Sequence, residues 1–178
     1  MKHQLLLPLL ALAGCGYYNP AAYERAKAAA SRQPVFPRVW AGLRLGMTPA
    51  QVTHTLDSLR EQQALTWPLG TSRLPLKPEA RYADGKLAEL RLLLLDKKAP
   101  DGLAYSEVLG SLDETYGHIR YEHDGGVGAY SWFKGGTEIA MMGLPGEGYS
   151  ITYTDLHSLD ALAVQQLRAD SLRQAQQE

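Results

Sequence analysis

The chain has a single cysteine, Cys15, so no disulfide can form within it and its stability must come from packing. It has almost no net charge, with 18 Lys+Arg against 19 Asp+Glu and a formal charge of -1. Phosphate neutralisation needs a concentrated basic surface that no segment supplies, so we expect no nucleic-acid partner. Long hydrophobic runs are also missing. The longest apolar stretch, Leu5 to Leu12, falls well short of the roughly 20 residues that a membrane-spanning helix needs. What is present is 178 residues of which 45% are hydrophobic, about one domain's worth of chain with enough apolar side chain for a real core.

The start of the chain reads as an address. Met1-Lys2-His3-Gln4 is a short basic opening, the apolar run follows, and the run ends in Leu12-Ala13-Gly14-Cys15. This quartet resembles the lipobox of bacterial lipoproteins. The resemblance implies that residues 1–14 are a signal peptide, that Cys15 is lipidated with diacylglycerol and an acyl chain such as palmitate, and that Cys15 becomes the mature N-terminus. At about 0.8 kcal/mol per buried methylene, such an anchor holds a protein on a membrane without further help. Gly16, not Asp, follows the cysteine. By resemblance to lipoprotein sorting in diderm bacteria, this implies the outer membrane.

Residues 15–38 read as a tether containing a short helix from Ala21 to Arg32, with Asn19 as N-cap, Pro20 in the first turn and Pro34 beyond its end. Fully extended, such a tether reaches on the order of 75 Å. Residues 39–157 read as an α+β domain, and residues 158–178 as a C-terminal helix or tail whose leucines spread around the helical wheel.

Within the domain, Thr48-Pro49-Ala50-Gln51 carries a complete helix start: N-cap, proline in the first turn and capping box. Val52, Leu56 and Leu59 then form one apolar stripe. A Pro- and Gly-rich stretch (Pro68, Gly70, Pro75, Pro78) reads as a loop. Asp84-Gly85 predicts a two-residue hairpin turn between Ala80 to Ala83 and Lys86 to Leu95, with Ala88, Leu90, Leu92 and Leu94 on one face of the second strand. Tyr105, Val108, Leu109, Leu112 and Tyr116 predict a helix over 103–116, capped by Asp101 and stopped by Gly117. Strands are predicted over 129–134, 137–142 and 149–154, the first two joined by Gly135-Gly136. The pattern predicts helices packed on one face of an antiparallel sheet. Its order, helix and hairpin followed by helix, hairpin and strand, suggests a tandem duplicated helix-hairpin unit.

The stretch Leu43-Arg44-Leu45-Gly46-Met47-Thr48-Pro49-Ala50-Gln51-Val52, behind a lipoprotein signal, resembles the strand-to-helix entry of the SmpA/OmlA (BamE-like) family. That resemblance implies a small envelope lipoprotein that works through protein contacts and is not an enzyme. The tandem arrangement also resembles the β-lactamase-inhibitor-protein fold, whose modules bind proteins through a sheet face.

Catalytic patterns are thin. His118, Glu122, His123 and Asp124 lack zinc-motif spacing and read as a solvated turn, so no metal and no cofactor are expected. The serines at 106, 111, 131 and 150 lack a nucleophile elbow. Asp113-Glu114 reads as a solvated helix face, although the negative charge is misplaced near a helix C-terminus. Aromatics concentrate in the C-terminal strands, with Tyr130 and Trp132 on one face and Phe133 on the other. They fit core filling or, if a row is exposed, a binding platform made by Tyr130, Trp132 and Tyr149. The function expected is a non-enzymatic, lipid-anchored protein-binding or assembly module with an envelope protein partner. The alternatives are a lipid-anchored carrier or hydrolase in which His118, His123 and Glu138 converge on a pocket, and a purely structural lipoprotein.

Overall fold

Local capping chemistry sets the helices. The computed structural model describes residues 19–69, 72–95, 103–117, 121–123, 129–144 and 148–175. Cys15, Asp101, His118 and Asp124 lie outside these residues. Helix α1 spans Pro20–Ala30, and the Asn19 side chain accepts the Ala22 N–H at 3.0 Å. Helix α2 spans Pro49–Glu61 behind the expected capping box: Gln51 N–H donates to Thr48 Oγ1 at 3.4 Å, and Thr48 N–H to Gln51 Oε1 at 2.9 Å. Helix α3, Leu103–Tyr116, ends at Gly117, whose φ of 103° is the left-handed conformation that halts a helix. Helix α4, Leu159–Ala175, follows a short 3₁₀ turn at Leu156–Ser158.

Strands β1 (Thr66–Leu69), β2 (Ser72–Ala83) and β3 (Lys86–Leu95) form one antiparallel meander. Strands β4 (Tyr121–His123), β5 (Ala129–Lys134), β6 (Thr137–Leu144) and β7 (Gly148–Asp155) form a second. The last strand, β7, pairs with β3, as in Leu92 opposite Ile151, and welds both meanders into one sheet of order β1-β2-β3-β7-β6-β5-β4. Six strands carry the continuous ladder, while β1 pairs only with the leading residues Ser72 to Pro75 of β2. The β2–β3 turn is the expected one. Asp84 and Gly85 have φ of 51° and 71°, the left-handed pair that a type I′ turn requires.

The register assigns every side chain to a face. Leu90, Tyr153, Ile139 and Trp132 stand opposite one another across β3, β7, β6 and β5, and all four are buried in the main core. Helices α2 and α3 cover this face with Val52, Leu56, Val108 and Leu112. The next row, Arg81, Glu89, Thr154, Glu138 and Phe133, points the other way. That face carries α1, whose Tyr23 ring packs 5.7 Å from Phe133, and α4, whose Leu162 packs on Ala83 and Ala88.

Two architectural expectations are thereby corrected. The chain is α+β, but helices lie on both faces of the sheet. One sheet joined through its first and last meanders replaces the tandem helix-hairpin unit, so neither the BamE-like nor the inhibitor-protein arrangement describes it. The expected leucine face of β3 also shifts. A bulge between Arg81 and Tyr82 in the β2–β3 register leaves Ala88 unpaired and turns it toward α4, while Leu87 takes its place in the main core.

The expected tether is docked from Asn19 onward. Tyr23 Oη donates to Glu138, and the segment after α1 straps the β5–β6 turn: Gly136 N–H donates to Pro34 O at 2.8 Å, and Phe36 N–H to Thr137 Oγ1 at 3.1 Å. The two turn glycines are required by this approach. A Cβ on Gly135 would meet Pro34 O at 2.5 Å, and one on Gly136 would meet Gln33 O at 2.5 Å. Of the expected 68–78 loop, Pro68 and Leu69 belong to β1 and Ser72 to Pro78 to β2, and of the expected 118–124 turn, Tyr121 to His123 form β4, paired with β5.

Candidate functional site

The expected aromatic platform is core. Trp132 and Tyr149 are 0% exposed, and Tyr130 is half-buried against the same cluster. All three point toward α2 and α3, because Tyr130 stands opposite Met141, Trp132 opposite Ile139, and Tyr149 opposite Leu94, each a buried core residue. Tyr105 of α3 lies over Tyr149 at 5.3 Å between ring centroids. Trp132 Nε1–H donates to Asp113 Oδ1 at 3.0 Å. That bond explains the acidic residue near the α3 C-terminus: Asp113 is an acceptor for a buried indole, where a solvated face was expected. Alternation correctly separates Tyr130 and Trp132 from Phe133 but is silent on which face is covered.

The proposed convergence of His118, His123 and Glu138 concerns residues that the described structure reaches only in part. His118 lies outside it, and His123 is described only by its strand position opposite Ala129. Among the described residues, no group of three or more His, Cys, Asp and Glu is placed to hold a metal ion. Glu138 is fully described and sits on the opposite face, 8% exposed. Its Oε1 accepts Tyr23 Oη–H at 2.9 Å and Ser131 Oγ–H at 2.8 Å. Burial and then the neighbouring Glu138 charge push the Tyr23 phenol well above its ordinary range, so the phenol remains a donor to the carboxylate. Lys27 Nζ lies 5.6 Å from the Tyr23 ring centroid. Ser131 is 0% exposed, out of reach of a substrate. This cluster is a clamp that fastens α1 to the sheet.

Solvent meets a different kind of surface on α4. One side of the helix is fixed to the sheet edge by Leu162, by Gln165 Nε2–H donating to Tyr82 O at 2.8 Å, and by Arg81 donating to Leu162 O at 3.0 Å. On another side Val164, Leu167 and Leu172 are exposed, with Leu167 at 68%. Together with Arg168 and Ser171 they make an open, mainly apolar face of the helix. The leucines scattered around the wheel in sequence are therefore two faces, one packed and one bare. Sequence reading missed both the α4 face and the Tyr23–Glu138 clamp. The i, i+3, i+8 spacing of Val164, Leu167 and Leu172 was the available signal for the first, and no local pattern announces the second.

No family model, curated protein or solved structure matches the chain. Among the described residues, no helix is long and apolar enough to cross a membrane.

Proposed function

We propose that this chain is a non-enzymatic lipoprotein of the bacterial cell envelope, anchored in the outer membrane through lipidated Cys15, that binds a protein partner through the bare face of α4. The observation that carries the binding role is the stripe Val164, Leu167 and Leu172, exposed on a helix whose other side is already fixed to the domain. An apolar stripe of this kind matches the apolar face of a partner helix or strand. The lipobox supports the anchor. The docked α1 supports a domain held close to the membrane, because three residues separate Cys15 from Asn19, a span of about 14 Å at most.

Two experiments test this reading. Labelled palmitate enters the wild-type chain and not Cys15→Ser; equal labelling of both would remove the anchor. A photo-crosslinking residue at position 167 of the full lipidated chain gives a discrete protein adduct in cells, and the same residue at position 61, on α2, does not. No adduct at 167, the same adduct at both positions, or an adduct with lipid alone would overturn the protein-binding role.

A further inference from the structure

Between the strap and α2 the chain makes a tight reversal. Leu43 N–H donates to Trp40 O at 2.8 Å, and Val39 N–H to Leu43 O at 3.2 Å. Ala41 and Gly42 at its tip have φ of 45° and 88°. Val39, Leu43 and Leu45 are buried in the main core, so the reversal has a rigid base. Trp40 is half-buried against that core, Ala41, Gly42 and Arg44 are exposed, and the exposed Arg38 is bridged directly opposite Arg44 in antiparallel register.

Directly opposed residues in such a pair have Cβ atoms about 5 Å apart on one face, so the two arginines present like charges on the same small surface. Both arginines are exposed, and within the described residues neither guanidinium has an ion pair or a side-chain hydrogen bond. The left-handed conformation of Ala41, a residue with a Cβ, adds backbone strain at the tip. Both arginines and the strained tip line a cleft of about 310 Å³ formed by residues 38 to 44, with the half-buried Trp40 among them.

We propose that this cleft is an anion site that takes a phosphate monoester, with Arg38 and Arg44 gripping the phosphate and Trp40 packing on its organic substituent. Two guanidinium forks match a dianion in charge, and each can offer paired N–H donors to phosphate oxygens. A bound dianion neutralises both positive charges at once. The indole beside the guanidinia favours a phosphate that carries a carbon group over the bare ion. The same chemistry is available from a soluble phosphate ester and from a phosphorylated lipid headgroup.

Trp67 and Trp132 are buried, so the fluorescence response to a ligand in this cleft comes from Trp40. The full chain is titrated with phenyl phosphate, with dihexanoyl phosphatidic acid and with dihexanoyl phosphatidylcholine, the last two as monomers. Expected is saturable binding of a phosphomonoester at millimolar concentration or tighter, weakened about tenfold or more in Arg38→Gln and in Arg44→Gln and unchanged in Arg60→Gln. Binding of both monoesters shows that the soluble group suffices; binding of phosphatidic acid alone assigns the site to a lipid headgroup. No monoester binding below about 10 mM, equal binding of phosphatidylcholine, or equal binding by the arginine variants would overturn the proposal. The arginines are exposed and outside the core, so circular dichroism of the variants should match wild type.

Discussion

Tyr23 and Glu138, 115 residues apart in the chain, are joined by a 2.9 Å hydrogen bond that pins α1 to the outer face of the sheet. The carboxylate also accepts from Ser131 and is nearly sealed from solvent, so one buried group ties a helix side chain and a strand side chain together. Tyr23→Phe removes one donor and leaves the carboxylate with Ser131. The expected loss is about 1 to 2 kcal/mol in denaturant unfolding. Glu138→Ala removes the shared acceptor of both hydrogen bonds and should cost more than Tyr23→Phe. Equal stability of wild type and Tyr23→Phe would show that α1 is not held by this bond.

The same phenol predicts an alkaline instability. Its folded pKa lies well above the ordinary 10.0, raised first by burial and then by Glu138; burial also raises Tyr116 and Tyr153, the latter with Tyr116 as a second cause. Above pH 10 the unfolded chain releases phenol protons that the folded chain retains, so stability is full below that pH and falls as pH rises through the folded values. Tyr23→Phe should flatten this slope, measured as urea midpoints between neutral pH and about pH 11. An identical slope in the variant would assign the alkaline loss to the other tyrosines.

The strap over the β5–β6 turn yields a steric prediction. A Cβ on Gly136 would meet Gln33 O at 2.5 Å and His157 Cε1 at 3.0 Å, the same His157 whose Nε2 lies 2.7 Å from Ser31 O. Gly136→Ala must therefore lift the strap, and we expect a loss of about 2 kcal/mol or more together with faster amide exchange at Phe36 and Gly136. A substitution that left both amides protected would mean that the strap yields without detaching.

Where signals are local, the fold was legible. Thr48, Pro49 and Gln51 fix the start of α2, and Asp84-Gly85 fixes the β2–β3 turn, because in each the chemistry is complete within a few residues. Pro78 misled for the opposite reason. Leu76 N–H reaches outward to Leu65 O, and Tyr82 O accepts Gln165 on the same side. Alternation places Pro78 between them with its missing N–H at the free edge, so the ladder to β3 loses nothing. The aromatic rows failed differently. Which of two faces is covered depends on α2 and α3 arriving from elsewhere in the chain, and strand alternation holds no record of that. The β3–β7 pairing is equally remote, since nothing near Leu92 specifies Ile151 as its neighbour.

Trp132 and Asp113 supply a test of the corrected role of the aromatics. If Trp132 is core, Trp132→Ala costs about 3 to 5 kcal/mol, and Asp113→Ala costs about 1 to 3 kcal/mol by orphaning a buried indole N–H. Thermal and denaturant unfolding read both. A Trp132→Ala variant with unchanged stability would contradict the burial on which the correction rests.

The two faces of α4 should separate stability from binding. Leu162 is 4% exposed against Ala83 and Ala88, so truncating it to Ala should cost about 2 kcal/mol or more and loosen the helix from the sheet edge. Leu167 is 68% exposed, so Leu167→Glu should change stability by no more than about 0.5 kcal/mol. In a protein-binding module the second substitution is the damaging one: it places a charge in the apolar stripe between Val164 and Leu172 and should abolish the adduct formed by a photo-crosslinking residue at position 164. Destabilisation by Leu167→Glu comparable to that of Leu162→Ala would mean that the stripe is already covered within the chain, and α4 would then have no bare face to offer.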